Sequence, residues 1–261
     1  MADLLTRGFP DRPRKYWTTA LARLTARGAP EGCPELGYLL EADGAPVGVL
    51  LLIFSQRGDE VRCNISSWYV EPAHRGHAAI LAAMATKLKH VTYLNTSPAE
   101  HTWPILEAQG YRRYSFGQFA AVPTPFGGWG IKGRSLREAD AALADYPLLK
   151  AHAEAGCAIL LCETPAGPEP FVFVRRTLVR GLLPAMQLVY ARDTARFAAC
   201  AGALGRHFLV RGAPVMLADA DAPIAGLAGR FFKGRGARFC KGPATPRQND
   251  LAFTEMVVFG P

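Results

Sequence analysis

The sequence predicts an α/β fold in which strands and helices build one mixed sheet per unit. Two apolar runs, Leu36–Glu41 and Val47–Phe54, flank an Asp-Gly pair, which is a strong signal for a β-hairpin. A third strand follows at Val61–Val70, and an alanine-rich segment with helical periodicity then covers Arg75–Lys89. Strands on both sides of a crossover helix favour parallel neighbours within the sheet.

The other elements of the first half follow from the same signals. An amphipathic helix is predicted over residues 11–27, where Gly28 provides the stop signal. Val91–Leu94 is a short apolar run typical of a buried strand. Pro98 opens a further helix that Gly110 ends, and a strand follows at Tyr111–Phe119.

The second half repeats this order of elements without repeating the residues. It has paired strands, a third strand, a helix over Thr194–Val210 that Asp193 caps, and two final strands at 215–219 and 251–259. We therefore expect two similar units rather than one unit with an extension. The predicted domains are residues 1–122 and 136–261, joined by a linker rich in Pro and Gly at 123–135.

Composition excludes several classes of protein. Hydrophobic residues make up 49% and charged residues 20% of the 261 residues, the balance of a globular domain. The six cysteines are scattered and form no CxxC pair, so we expect neither a metal site nor a disulfide scaffold, and reduced thiols suit a cytoplasmic location. Residues 1–15 lack the apolar core of a signal peptide, and the longest apolar run is far shorter than the roughly 20 residues of a membrane span.

The net charge of +8 is concentrated in the second half, because residues 148–261 hold 14 Lys/Arg and 8 Asp/Glu. Such a surplus favours an anionic partner, which can be a phosphate-bearing cofactor, an RNA or an acidic metabolite. The stretch Gly229–Arg238 carries four cations, no acid and two phenylalanines, and it could hold a phosphate or an RNA backbone. A solvated loop beside a hairpin is the favoured interpretation of this stretch.

The stretch Val70-Glu71-Pro72-Ala73-His74-Arg75-Gly76-His77-Ala78 joins a strand to a helix. A helix that starts at such a turn aims its first N–H groups outward, and glycine lets a pyrophosphate approach the backbone. The stretch resembles the coenzyme A segment of the GNAT acetyltransferase superfamily, V-x-P-x-x-R-G-x-G-x-G/A. Ala78 and Ile80 depart from this pattern, and the β-branched Ile80 could crowd the phosphates or the contact between helix and strand.

The resemblance covers residues 11–120 and implies a GNAT-like acyltransferase fold with acetyl-CoA or another acyl-CoA as substrate. It implies that the backbone at Val70 pairs with the pantetheine arm and that N–H groups from Arg75 to Ile80 face the pyrophosphate. The residues thus predicted to bind the cofactor are Tyr69, Val70, Arg75, Gly76, His77, Ala78, Ala79 and Ile80. The second unit has no glycine in its turn, Arg192–Ala195, so we expect no cofactor there.

In this superfamily a tyrosine on the helix before a Gly-aromatic pair often protonates the departing thiolate. The pair here is Gly110-Tyr111, and the tyrosine position falls on Leu106, which donates no proton. Either another group protonates the thiolate, or the thiolate leaves without an acid, or this unit does not catalyse. The nearest substitutes, and our predicted catalytic residues, are Asn95, Ser97 and His101.

Two further polar features are ambiguous. Ser66 and Ser67 could line an acceptor pocket between splayed strands or be hydrogen-bonded inside the sheet, and Glu71 could act as a base or be merely exposed.

These observations favour acyl transfer from acyl-CoA to an amine or hydroxyl of a small-molecule acceptor. A non-catalytic ligand sensor or interaction module is the alternative that Leu106 and Ile80 support. A transferase that uses aminoacyl-tRNA is the third, and the basic second half suits it, although no RNA-binding motif is present. We expect no membrane partner and disfavour nucleic acid, and the oligomeric state is left open.

Overall fold

The structure, a computed structural model, describes residues 1–122, 130–179 and 181–259. Its α-helices are α1 (Ala2–Gly8), α2 (Arg14–Arg27), α3 (Ala78–Ala85), α4 (Trp103–Ala108), α5 (Tyr146–Glu154), α6 (Thr194–Leu209) and α7 (Glu255–Val258). Its strands are β1 (Gly37–Ala42), β2 (Ala45–Arg57), β3 (Glu60–Val70), β4 (Val91–Asn95), β5 (Arg112–Ala121), β6 (Lys132–Ser135), β7 (Ala158–Thr164), β8 (Gly167–Leu178), β9 (Leu183–Ala191), β10 (Met216–Ala220) and β11 (Gly229–Lys241). No helix in these three ranges is both long and apolar enough to cross a bilayer.

The chain divides into two compact units, and the division differs from the predicted boundaries. Unit 1 contains Met1–Arg112 and two late segments, Phe239–Thr245 and Phe253–Phe259, whereas unit 2 contains Arg113–Arg238 and Pro246–Ala252. Strand β5 falls in unit 2 because it pairs with β10. Local sequence patterns do not reveal such pairings, since they join residues about 100 positions apart.

The sheet of unit 1 begins with the predicted hairpin. Asp43 and Gly44 have φ values of 51° and 74°, the positive values that a type I′ turn requires, and they join β1 to β2. Strand β3 pairs antiparallel with β2 and parallel with β4, and Phe239–Lys241 of β11 pairs antiparallel with β4. Helices α1 and α2 cover one face of this sheet through buried residues, which include Leu4, Leu5, Trp17, Leu24, Val49, Leu51 and Ile53.

The sheet of unit 2 is built around β10. This strand pairs antiparallel with β5 and parallel with β9, and β8, β7 and β6 extend the sheet from β9 by antiparallel pairing. Helix α6 packs against one face of the sheet, and its Phe197, Leu204 and Phe208 are buried against Phe171 and Phe173. Asp193 caps this helix as predicted.

Several predicted elements are wrong in extent or type. The helix predicted over 75–89 is α3 alone, and it buries Leu81, Ala82 and Ala85, whereas Ile80 and Met84 are exposed. The strand predicted at 251–259 contains the helical turn α7. Of the predicted linker, residues 123–129 lie outside the described residues, and Lys132–Ser135 forms strand β6.

The basic stretch Gly229–Arg238 is a strand and not a solvated loop. It forms most of β11, which lies next to β5 in unit 2. Gly234 and Gly236 have positive φ values of 78° and 65°. Glycine adopts such values at irregular positions within a strand, so these two residues do not prevent strand formation.

Candidate functional site

The parallel strands β3 and β4 of unit 1 diverge towards their carboxyl ends, and we call the region between them the cleft of unit 1. Their register runs from Val61 opposite Val91 to Asn64 opposite Leu94 and ends there, although β3 continues to Val70. The hydroxyl of Thr96, just past β4, donates to Asn64 Oδ1 at 2.9 Å, at the point where the pairing ends. The carboxyl ends of parallel strands are where α/β sheets bind ligands.

Strand β3 carries a bulge beside this cleft. Its pairing with β2 passes from Val49 opposite Tyr69 to Leu51 opposite Ser66, so Ser67 and Trp68 together face one residue of β2. Ser67 has a φ of 49°, which is uncommon for a residue other than glycine. A bulge leaves its extra residue out of the ladder, and such strained positions concentrate at functional sites.

A carboxylate from the C-terminal segment of unit 1 joins the two sides of the cleft. The Ser66 hydroxyl on β3 donates to one carboxylate oxygen of Glu255, and the Ser97 hydroxyl after β4 donates to the other. Ser66 is buried and its hydroxyl lies 3.1 Å from that of Ser67, whereas Ser97 is exposed. We call Ser66, Ser67, Ser97 and Glu255 the serine–glutamate cluster.

The three residues predicted to be catalytic have different surroundings. Ser97 belongs to the serine–glutamate cluster, and Asn95 ends β4 opposite Phe239. His101 is exposed on the 3₁₀ turn Glu100–Thr102, and it has no hydrogen bond or ion pair within the described part of the chain. Sequence reasoning missed Glu255, for which the only signal is a lone acid inside the apolar run that ends the chain.

The position of the missing tyrosine is part of the core. Leu106 on α4 is buried, and Gly110 follows the helix with a φ of 84°. The neighbouring Tyr111 is buried as well, and its hydroxyl has no partner among the described residues. Burial raises the pKa of Tyr111 well above its ordinary value, so this phenol stays neutral.

The predicted phosphate turn after β3 is a 3₁₀ helix, Pro72–His77, that leads directly into α3. Its own carbonyls use some of the amides: His74 N–H donates to the Glu71 carbonyl at 2.9 Å, and Ala78 N–H donates to the carbonyl of Arg75. A 3₁₀ turn is one way in which a helix start satisfies its free donors. Ala78 is therefore engaged within the chain in this structure.

The remaining residues of the turn face solvent. Arg75, Gly76, His77 and Ala79 are exposed, and Ile80 is 60% exposed, so its side chain does not fill the contact between helix and strand. A Cβ placed on Gly76 would meet no atom within 4 Å. Open space at this glycine is what the approach of a ligand requires.

One edge of β3 extends beyond the end of its pairing with β4. Val70 pairs with Gly48 of β2 on one side, and Tyr69 pairs with Val49, whereas their other side lies beyond the end of the pairing with β4. The indole Nε1 of Trp68 is buried without a hydrogen-bond partner among the described residues. An unpaired buried donor costs free energy unless a ligand or water satisfies it.

Unit 2 contains the counterpart of this cleft, and its own chain fills it. The parallel pairing of β9 and β10 ends at Gln187 opposite Leu217. Beyond that point Leu251 N–H donates to the Val189 carbonyl at 2.8 Å, and Ala191 N–H donates to the Asn249 carbonyl at 3.1 Å. Residues 249–251 therefore run along the free edge of β9.

The side chain of Asn249 closes the other wall of this cleft. Its Oδ1 accepts from the amide of Asp219 on β10 at 2.7 Å, and its Nδ2 donates to the carbonyl of the same residue at 3.0 Å. At the turn that follows β9, the Asp193 carboxylate accepts from the amides of Ala195, at 2.5 Å, and Arg196, at 3.4 Å. A carboxylate of the chain thus lies where a phosphate would meet the start of α6.

A splayed parallel pair next to a bulged strand, followed by a turn and a helix, is the architecture of the GNAT acetyltransferase fold, and this chain has that fold. It is similar to a protein from Pyrococcus horikoshii described as an acetyltransferase, with 13% identity over 97% of this chain and 88% of that chain and a TM-score of 0.52. It is also similar to a GCN5-related N-acetyltransferase from Anabaena variabilis, with 7% identity over 92% of this chain and 68% of that chain and a TM-score of 0.58. No protein-family model matches the chain, and no curated protein matches it.

Proposed function

We propose that the chain transfers an acyl group from an acyl-CoA to the amine of a small-molecule acceptor, in the cleft of unit 1. The observation that carries this proposal is the Glu255 carboxylate, which accepts hydrogen bonds from Ser66 on β3 and from Ser97 just after β4, beside the bulge of β3. A carboxylate held in this way attracts an ammonium group and can accept its proton. It favours an amine over a hydroxyl as acceptor, because a hydroxyl carries no charge for it to bind.

The proposed reaction forms one bond and breaks one. The ammonium group of the acceptor gives a proton to Glu255, which passes it to solvent, and the neutral nitrogen attacks the thioester carbonyl. The C–N bond forms as the C–S bond breaks. The nitrogen then loses its second proton, and the departing thiolate gains one, so that the products are an amide and a free thiol. With a thiol pKa of about 8.5, a thiolate leaves without an acid, which accounts for a leucine at position 106.

The proposed second substrate is an acyl-CoA, as the GNAT resemblance implies. By the GNAT resemblance, a backbone N–H at the bulge of β3 polarises the thioester carbonyl, and the free edge of Tyr69 and Val70 pairs with the pantetheine arm. Arg75 and Gly76 would meet the diphosphate, together with His77, Ala78, Ala79 and Ile80. The Ala78 N–H donates to the Arg75 carbonyl, so it can bind a phosphate only after this hydrogen bond is broken.

The proposal places this reaction in the cytoplasm, because the six cysteines are scattered along the sequence and form no CxxC pair.

A second candidate function is ligand sensing without catalysis. Two observations favour it, namely Leu106 in the core at the tyrosine position and the engagement of the Ala78 amide within the 3₁₀ turn. A sensor would bind coenzyme A and acetyl-CoA with similar affinity and would release no thiol.

Thermal shift and thiol release together test the two candidates. Acetyl-CoA and coenzyme A, but not adenosine, should raise the melting temperature. A panel of primary amines should then liberate free thiol, and Glu255→Gln should lower that rate by roughly 10²–10⁴-fold with unchanged binding of acetyl-CoA. Glu100→Gln, which removes an exposed acid from unit 1, is the matched control and should behave as the wild type.

Each outcome is decisive for one part of the proposal. A shift without thiol release would select the sensor, and the absence of any shift would reject both candidates. A Glu255→Gln variant with the wild-type rate would reject Glu255 as the proton acceptor.

A further inference from the structure

The first half of β11 in unit 2 forms a basic and aromatic surface, which we call the basic ribbon and define as Arg230, Phe232, Lys233 and Arg235. All three cations are exposed. None of them forms an ion pair with a carboxylate within the described residues. Their charge is therefore available to a partner, and the proposed acyl transfer makes no use of it.

The cations and the ring are organised on the strand. The guanidinium carbon of Arg230 lies 5.3 Å from the centroid of the Phe232 ring, and that of Arg235 lies 5.8 Å from it. Side chains three positions apart point to opposite faces of a regular strand. Gly234, with a φ of 78°, interrupts the alternation, so that both guanidinium groups reach one ring.

The neighbouring strand β5 extends the same surface. A Cβ on Gly117 would lie 2.6 Å from the ring of Phe231, so these two residues share one face of the sheet. By alternation, Phe116 and Phe232 share the opposite face. Phe116 is 44% exposed, and the Arg113 guanidinium lies 5.6 Å from its ring centroid. Two aromatic rings, each with arginine beside it, thus lie on one side of neighbouring strands.

We propose that the basic ribbon binds a single-stranded nucleic acid. Cations spaced along an extended strand suit a phosphate backbone. The half-buried ring of Phe232, the exposed ring of Phe116 and the guanidinium planes suit unpaired bases, because every base has a π-face. An acidic peptide would match the charge but leave the rings without a planar partner. The charge of the chain accords with this, since residues 148–261 hold +6 of the net +8. The backbone N–H of Phe116 donates a hydrogen bond to Asp221 Oδ1 at an N···O distance of 2.8 Å.

Fluorescence polarisation with a labelled 12-nucleotide oligouridine, measured over a range of salt concentrations, tests this proposal on the full chain. Arg230→Gln combined with Arg235→Gln should weaken binding and lower the slope of log K against log salt by about 1.4, since each phosphate contact in a single strand contributes about 0.7. Phe232→Ala should weaken binding roughly 5- to 100-fold without changing the slope, because the ring carries no charge. This separation of affinity from slope distinguishes stacking from simple attraction.

The matched control is Lys150→Gln combined with Arg175→Gln. It removes two exposed cations from elsewhere in unit 2 and should leave both the affinity and the slope at wild-type values. Melting temperatures of all variants establish that they are folded. The proposal is overturned if the wild type does not bind the oligonucleotide at 50 mM salt, or if the control loses as much affinity as the ribbon variant. Tighter binding of polyglutamate, or equal binding of a duplex of the same length, would overturn it as well.

Discussion

The clefts of unit 1 and unit 2 begin alike and end differently. In each unit two parallel strands diverge, and a helix follows one of them. The last paired residues are Asn64 and Leu94 in unit 1 and Gln187 and Leu217 in unit 2. In unit 1 the diverging strands hold a bulge and a carboxylate, whereas in unit 2 residues 249–251 lie along the free edge of β9. The same fold thus holds a single carboxylate between the diverging strands of unit 1 and a backbone segment beside the diverging strand of unit 2.

The starts of the two helices differ in the same sense. The turn before α3 contains the exposed Gly76, which has open space around it. The turn before α6 contains Asp193, whose carboxylate accepts hydrogen bonds from two backbone amides. The same N-terminal donors can serve a ligand's phosphate or a side chain of the protein. We therefore expect each chain to bind one acyl-CoA, in unit 1.

The largest expected effect is on binding in unit 1. Gly76→Asp should weaken acyl-CoA binding at least about 100-fold, because like charges brought together cost several kcal/mol. The fold should be unaffected, since the new side chain enters open space. Isothermal titration should give one acetyl-CoA per wild-type chain and no binding to the variant.

Gly76→Ala is the control for this prediction. It adds a methyl group without a charge and should keep most of the affinity. Unchanged affinity in Gly76→Asp, or two sites per wild-type chain, would contradict the contrast between the units.

The second prediction tests the filled cleft of unit 2. Asn249→Ala should lower the free energy of unfolding by about 2–4 kcal/mol, because it leaves the amide and carbonyl of Asp219 unpaired and places alanine at a φ of 59°. Denaturant unfolding measures the loss, and Asn249→Gly separates the backbone contribution because glycine adopts this φ readily. The number of bound acetyl-CoA molecules should stay at one, since residues 249 and 251 also bond through the backbone.

The third prediction concerns the cap of α6. Asp193→Ala should cost about 1 kcal/mol of stability, the usual loss for an N-cap, and Asp193→Asn should cost less because its side-chain oxygen still accepts from the amides. Thermal unfolding at neutral pH measures both. Equal losses in the two variants would mean that charge, and not capping, is what this position supplies.

The smallest expected effect is a dependence on pH in unit 2. Burial, together with the hydrogen bond that the Tyr190 hydroxyl donates to Asp145 at 2.8 Å, raises the pKa of Tyr190 to about 12 from its ordinary 10. A raised pKa favours the protonated phenol in the folded state, so its contribution to stability is complete below pH 10 and is lost as pH rises towards 12.

Tyr190→Phe should accordingly lower the free energy of unfolding by about 0.5 kcal/mol at pH 8. This is the low end for the loss of a hydrogen bond, because Arg192 still donates to the Asp145 carboxylate. The difference in melting temperature between this variant and the wild type should narrow from pH 10 to 12. A constant difference over that range would show that the hydroxyl does not titrate with folding.

Much of the fold and part of the site could be predicted from the sequence. The Asp43-Gly44 turn, the strand that ends at Val70 and the cap at Asp193 all depend on residues close together in the chain. Ser97 could be placed near the cleft because it follows β4 directly. The predicted helix over 75–89 is longer than α3, because alanine composition does not show where a helix begins and ends.

The remaining features depend on contacts between distant residues. Glu255 meets Ser66 across 189 positions and Ser97 across 158, and no periodicity links residues so far apart. The same holds for Asn249, which reaches Asp219 across 30 positions, and for the pairing of β5 with β10. The glycines and charges of the stretch at 229–238 predict a loop because they lower strand propensity, whereas pairing with β5 makes this stretch a strand.

The amino-acid sequence by itself determined the strands, the helices with their caps, and the turn that resembles a coenzyme A segment, because these depend on propensity, periodicity and backbone stereochemistry within a few residues. Only the tertiary structure decided what lies beside the diverging strands of each unit, namely the Glu255 carboxylate in unit 1 and residues 249–251 in unit 2. The physical reason is that a cleft is bounded by segments remote in sequence, so that its contents depend on how the chain returns to each sheet after long excursions.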